Sequence, residues 1–259
     1  MHLKIFIILF FLLYQNSVYS KATDKNYFNQ KYLSNYFSAL VSSDNQKNDD
    51  AIKFFNSSKF LINKHDNFLR EYVFSLILDG QVKKAIKQIK RSNNSNFFEA
   101  NLLLTLDSLT KKKYKQAGKR LNKLLTFQEN GTYEFVIIKS LESYNYLFLN
   151  KKVAKINKNL GRIDVITNAF QNCYLNSNKT NSHFLNLINS KESDYSRYLF
   201  FYLGNVIENR DYDIANEISK TIEPLKSSLL IAQANKWIDE KNYKKFNHYF
   251  SCKNENDLL

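Results

Sequence analysis

The chain has 259 residues, 44% of them hydrophobic and 24% charged, so it is too apolar for disorder and long enough for one large domain or two ordinary ones. Five Gly and one Pro are far below average usage, which counts against turn-rich all-β folds and doubly wound sheets and favours helices. The formal charge of +14 admits nucleic acid, an anionic membrane face or an acidic polymer as partner, although the heavily used Lys, Asn, Ile, Phe and Tyr are also the residues of AT-rich codons.

The N-terminus reads Met1-His2-Leu3-Lys4, then an apolar run from Ile5 to Leu13, then a polar stretch ending Val18-Tyr19-Ser20. This order predicts a secretory signal peptide over residues 1–20, cleaved after Ser20. The apolar run is too short to span a bilayer, which takes roughly 20 residues. Cleavage removes Lys4 and no acidic residue, leaving +13 (+14 − 1). The expected compartment is the periplasm, where nucleic acid is not an expected partner. Residues 21–30 read as a linker, and no transmembrane span is expected in the mature chain.

Three segments then align: Asn48 to Phe55, Val82 to Ile89 and Tyr114 to Leu121. Their alanines, Ala51, Ala85 and Ala117, stand 34 and 32 residues apart (85 − 51 and 117 − 85). Each is followed four residues later by a large apolar residue, so both lie on one helical face and the small one admits a close neighbour. An apolar helix precedes each alanine, over Tyr36 to Val41, Phe68 to Leu78 and Phe97 to Leu109, with short polar turns between. Gly80 falls where a first helix needs a left-handed terminal residue. A period near 34 predicts stacked helical hairpins.

These residues resemble a tetratricopeptide repeat. Ala39, Val73 and Thr105 match the small residue of its first helix, Tyr114 the aromatic before its second, and Ala51, Ala85 and Ala117 the alanine of its second. The first helices carry no Trp, and no Pro closes any of the three repeats. The resemblance covers roughly residues 32–126 and implies an all-α fold, an α-solenoid of about six hairpins in a right-handed superhelix. It further implies a concave groove lined by the first helices, at Tyr36 and Leu40, then Asn67, Arg70, Phe74 and Ile77, then Glu99, Leu102, Leu106 and Leu109. A mostly apolar groove with single charges suits an extended peptide or an amphipathic helix. Lys83, Lys84, Lys87, Lys90 and Lys119 are expected on the outer, solvated face.

The repeats of residues 31–130 give way to degenerate hairpins over 131–195 and return over 196–259. Thr132 to Leu149 predicts a helix, with Asn150 to Leu160 as its partner and Ala154 as a degenerate alanine. Tyr198 to Ile207 pairs with a helix around Ala215, and Leu229 to Ile238 with one in which Phe246 replaces the alanine. Lys253 to Leu259 is too short to cap a solenoid, and the expectation is an array continuing past Leu259. Cys173 and Cys252 lie far apart in sequence and are expected as two separate buried thiols, although an oxidising compartment leaves a disulfide open.

Patterns that carry chemistry are not found. His2, His65, His183 and His248 have no partner at ligand spacing, and no phosphate-cradling Gly loop, Walker motif or nucleophile elbow occurs. Glu71, Glu99, Glu134 and Glu142 fall on predicted first helices without a paired carboxylate. No enzymatic activity, metal or cofactor is expected. The reading is a non-catalytic protein-binding scaffold of a bacterial cell envelope. Its alternatives are a binder of anionic cell-wall polymer or membrane surface, and an accessory domain of a longer envelope enzyme.

Overall fold

The computed structural model describes residues 30–127, 132–155, 160–189, 198–222 and 229–259. The expected signal peptide lies outside them. Among the described residues thirteen α-helices run in chain order: α1 Gln30–Asp44, α2 Asn48–Ser57, α3 Phe68–Leu78, α4 Val82–Arg91, α5 Phe98–Thr110, α6 Tyr114–Leu124, α7 Tyr133–Asn150, α8 Arg162–Tyr174, α9 Thr180–Ile188, α10 Leu199–Glu208, α11 Tyr212–Ile222, α12 Leu229–Asp239 and α13 Tyr243–Phe250. No strand occurs among the described residues, so the all-α class holds. None of the described helices is long and apolar enough to cross a membrane.

One backbone device recurs six times. Gln46, Gly80, Lys112, Asn176, Arg210 and Lys241 all have φ between 53° and 74°, in the left-handed region. At Gly80 its own N–H donates to Ile77 O at 2.9 Å and the next N–H, of Gln81, to Leu76 O at 2.8 Å. The same pair of bonds forms at Lys112 (to Leu109 and, from Lys113, to Ser108), at Arg210 (to Ile207 and, from Asp211, to Val206) and at the other three. These are Schellman terminations, which satisfy the last carbonyls of a helix and reverse the chain. They stand 34, 32, 64, 34 and 31 residues apart, so the period read from the alanines is written into the backbone. Only one of the six is Gly, which is why the chain turns so often with so few glycines.

The packing follows the same register. Seven residues before each left-handed position lies a buried side chain: Ala39, Val73, Thr105, Ala169, Leu203 and Ala234. Five residues after it lies another in five of the six, namely Ala51, Ala85, Ala117, Ala215 and Phe246. The double interval of 64 is filled by α7, which has no Gly or Pro to interrupt it and runs on for 18 residues. Of its expected partner helix over Asn150 to Leu160, residues 156–159 lie outside the described residues. Residues 151–155 are not helical, and Ala154 donates its N–H to the Gln171 side chain at 3.2 Å instead of packing as a helix alanine. The hairpin of this region is α8 and α9, turned at Asn176.

The chain divides into two units, residues 1–88 and 89–259. In the first, α1 packs on α2 and α3, and the core is aromatic: Phe68 lies against Tyr36 at 5.4 Å and Phe55 at 5.3 Å between ring centroids, and Tyr72 against Phe55 at 5.5 Å. The buried Tyr72 hydroxyl donates to Asn56 Oδ1 at 2.6 Å, satisfying the polar end of an otherwise apolar anchor. In the second unit one cluster gathers Leu109, Ala117, Leu121, Leu124, Ile138 and Leu141 from α5 to α7. A larger one runs from Ala169 through Phe184, Phe200, Tyr202 and Trp237 to Phe250 and Cys252.

Candidate functional site

On α3 the expected groove positions divide cleanly. Asn67 and Arg70 are exposed, Ile77 is half-buried, and Phe74 is 52% exposed. Leu78, one turn beyond Phe74, is exposed to the same degree, so α3 presents an apolar pair beside Arg70. Burying such side chains is worth about 1.5–3 kcal/mol each, an energy the unit leaves unused here.

On α1 the expected register is corrected. Tyr36 is only 3% exposed, held between Phe68 and His65, whose ring centroid lies 4.7 Å away, so its ring is core and not ligand-facing. Leu40 is half-buried. The exposed apolar pair of α1 is Phe37 and Val41, each one residue later and each 60% exposed. The Tyr36 ring fills the space above Phe68.

On α5 Glu99 is exposed, while Leu102 and Leu106 are half-buried against the α5–α7 cluster and Leu109 is part of it. The aliphatic side of α5 is therefore mostly packing. Lys83, Lys87, Lys90 and Lys119 are exposed as expected, Lys84 is half-buried, and Lys90 pairs with Asp107 at 2.9 Å.

The most organised polar site lies elsewhere, and nothing in the sequence reading singled it out. Residues 251–259 leave α13 and fold back over the second unit. Cys252 forms a disulfide with Cys173 near the end of α8, at a Cα separation of 6.0 Å that suits the bond. The expectation of two separate thiols is thus overturned. Lys253 Nζ donates to Cys173 O at 2.7 Å. Leu258 packs against the larger cluster and Leu259 against the α5–α7 cluster.

Between these anchors sits Glu255, its side chain 12% exposed. Its carboxylate accepts from the Tyr174 hydroxyl at 2.5 Å, the Tyr114 hydroxyl and Lys151 Nζ at 3.0 Å, and pairs with Lys112 Nζ at 3.3 Å. Lys151 also donates to the Tyr174 oxygen. Burial alone would push the carboxyl up, but the donors of Tyr114, Tyr174, Lys151 and Lys112 together outweigh it and hold the group down at about 2. Burial and the adjacent carboxylate raise both tyrosines, and the Tyr174 hydrogen bond raises Lys151. At neutral pH Glu255 is a carboxylate, met by two phenols and by the Lys112 and Lys151 side chains.

Its geometry follows from the helix ends. Lys112 is the left-handed residue closing α5, Lys151 (φ 53°) closes α7, Tyr114 opens α6 and Tyr174 ends α8. Beside it opens a concavity of about 400 Å³ lined by Lys112, Lys113, Tyr114, Lys115, Gln116 and Leu149. No group of three or more His, Cys, Asp or Glu able to hold a metal occurs among the described residues. Comparison with protein-family models, with curated proteins and with solved structures finds no match to this chain.

Proposed function

We propose that this chain is an exported, non-catalytic scaffold that binds an extended peptide or helix of a protein partner in the periplasm. In this reading its hairpins stack as a right-handed α-solenoid of the tetratricopeptide type. The observation that supports it is the exposed pair Phe74 and Leu78 beside Arg70 on a first helix whose opposite side is core. A photo-crosslinking residue in place of Phe74, in the mature chain expressed in the periplasm, should trap a discrete protein that Arg70→Glu removes. The same bands from a crosslinker at Lys83, on an outward basic helix, would overturn the reading.

A second reading rests on α4, where Lys83, Lys87, Lys90 and Arg91 are exposed while Ala85, Gln88 and Ile89 are buried. Such a face suits an anionic polymer or membrane surface. Sedimentation with anionic vesicles or cell-wall polymer distinguishes it, because a charge-driven complex weakens steeply as salt rises.

A further inference from the structure

Residues 253–259 have almost no regular structure of their own. One turn spans Asn254 to Asp257, closed by Asp257 N–H to Asn254 O, Asn256 N–H to Asn254 Oδ1 and Asn254 Nδ2–H to Asp257 Oδ2, and outside it the segment is held by side-chain contacts to other elements. The contacts alternate in kind along the segment. Lys253 is fixed by a backbone carbonyl, Glu255 by four donors, and Leu258 and Leu259 by apolar clusters. The receiving groups come from three separated stretches, around residues 112–114, at 151 and at 174, so the cradle is assembled by the fold and not by the segment that fills it.

The tail also leaves part of this surface unfilled. The adjoining concavity is lined by Lys113 and Lys115 as well as by Lys112 and Tyr114. Asp257, two residues after Glu255, accepts from the Asn254 amide and pairs with none of these lysines, so a ligand whose second carboxylate is free to reach them would meet both the cradle and the lysines. Short charge-assisted bonds from tyrosine and lysine are among the stronger contacts a carboxylate can make.

We infer that the Lys112–Tyr114–Lys151–Tyr174 cradle is a binding site for a peptide that presents a carboxylate on a turn followed by apolar residues, occupied in cis by Glu255 and the residues that follow it. The tail is then an internal competitor, kept at high effective concentration by the Cys252 anchor three residues away. A partner segment must displace it, and one whose second acid reaches the neighbouring lysines gains a contact that Asp257, bonded to Asn254, does not make. This site is separate from the α3 face, so either assignment can fail alone.

The test uses the full mature chain with its disulfide intact and a fluorescein-labelled peptide of the sequence of residues 253–259, Lys-Asn-Glu-Asn-Asp-Leu-Leu. Fluorescence anisotropy should show weak binding to the native chain and at least tenfold tighter binding to Glu255→Gln, whose own tail no longer competes. Adding Lys112→Glu and Lys151→Glu to that variant should abolish binding, and a peptide with Gln in place of the Glu should bind tenfold or more weakly. Phe74→Glu should change nothing here. Circular dichroism and alkylated mass establish that each variant is folded and disulfide-bonded. Equal binding to the native chain and Glu255→Gln would overturn the inference, as would binding that survives the lysine reversals or an anionic polysaccharide that competes as well as the acidic peptide.

Discussion

The Tyr174 hydroxyl donates to the Glu255 carboxylate at 2.5 Å although 81 residues separate them. Because the folded carboxyl sits at about 2, below its ordinary value of 4.5, its contribution to stability is fully present above about pH 4.5 and is lost as pH falls through about 2. Glu255→Gln should cost roughly 2 kcal/mol at neutral pH. In urea unfolding the gap between native and variant should close progressively between these two pH values. A gap independent of pH would mean that the carboxylate charge is not what the cradle holds.

Reducing the Cys173–Cys252 bond opens a loop with a sequence separation of 79. Chain-entropy reasoning gives a loss of about 4 kcal/mol. A dithiol should lower the denaturation midpoint of the native chain and leave that of Cys252→Ser unchanged. It should also speed proteolysis at residues 251–259.

A Cβ on Gly204 in α10 would lie 2.7 Å from the Phe250 carbonyl oxygen at the end of α13. That contact is with backbone, so the two helices must separate, and Gly204→Ala should destabilise by about 1–3 kcal/mol. Gly118→Ala is the control. Its Cβ meets only the Asn145 side chain at 3.4 Å, and the better helix propensity of Ala offsets the contact by up to about 1 kcal/mol. Thermal unfolding of the two variants should move in opposite directions or differ by several degrees.

Arg210 holds a left-handed conformation (φ 61°) in which a Cβ costs roughly 1–2 kcal/mol. Arg210→Gly should therefore stabilise by about 0.5–1 kcal/mol after the added unfolded-state entropy is counted. Arg210→Val, which puts a β-branched side chain at the same φ, should destabilise. Guanidinium unfolding of the pair checks the sign.

Tyr36→Ala removes a core ring and should cost about 3–5 kcal/mol. Phe74→Ala, at a half-exposed position, should cost under about 1 kcal/mol while weakening partner capture. The contrast separates the packed ring of α1 from the exposed ring of α3 by calorimetry alone.

The helices and their period were legible because small residues recur where two helices approach. Ala51, Ala85 and Ala117 each sit five residues past a left-handed turn and are buried. The places of the first three turns were legible as short polar stretches, but their left-handed angle was not, since Gln46 and Lys112 look like ordinary surface residues and only Gly80 advertises its backbone angle. Tyr36 was misplaced because a family offset assigns a direction, whereas the space above Phe68 decided where the ring went. The Glu255 cradle was out of reach for a different reason. Its partners lie 81 to 143 (255 − 112) residues away, and no local spacing encodes an encounter made only when the last nine residues double back. Leu258 and Leu259 are packed side chains of that same segment.

The bond between Cys173 and Cys252 has a mechanical meaning as well. If the chain were drawn out by its two ends, the 78 residues it encloses, 174–251, would carry no tension. At about 3.4 Å per residue they would withhold roughly 270 Å of contour length. Helices α9 to α13 would then stay folded under a load that unravels what lies outside the loop, and would extend only once a thiol cut the sulfur bridge.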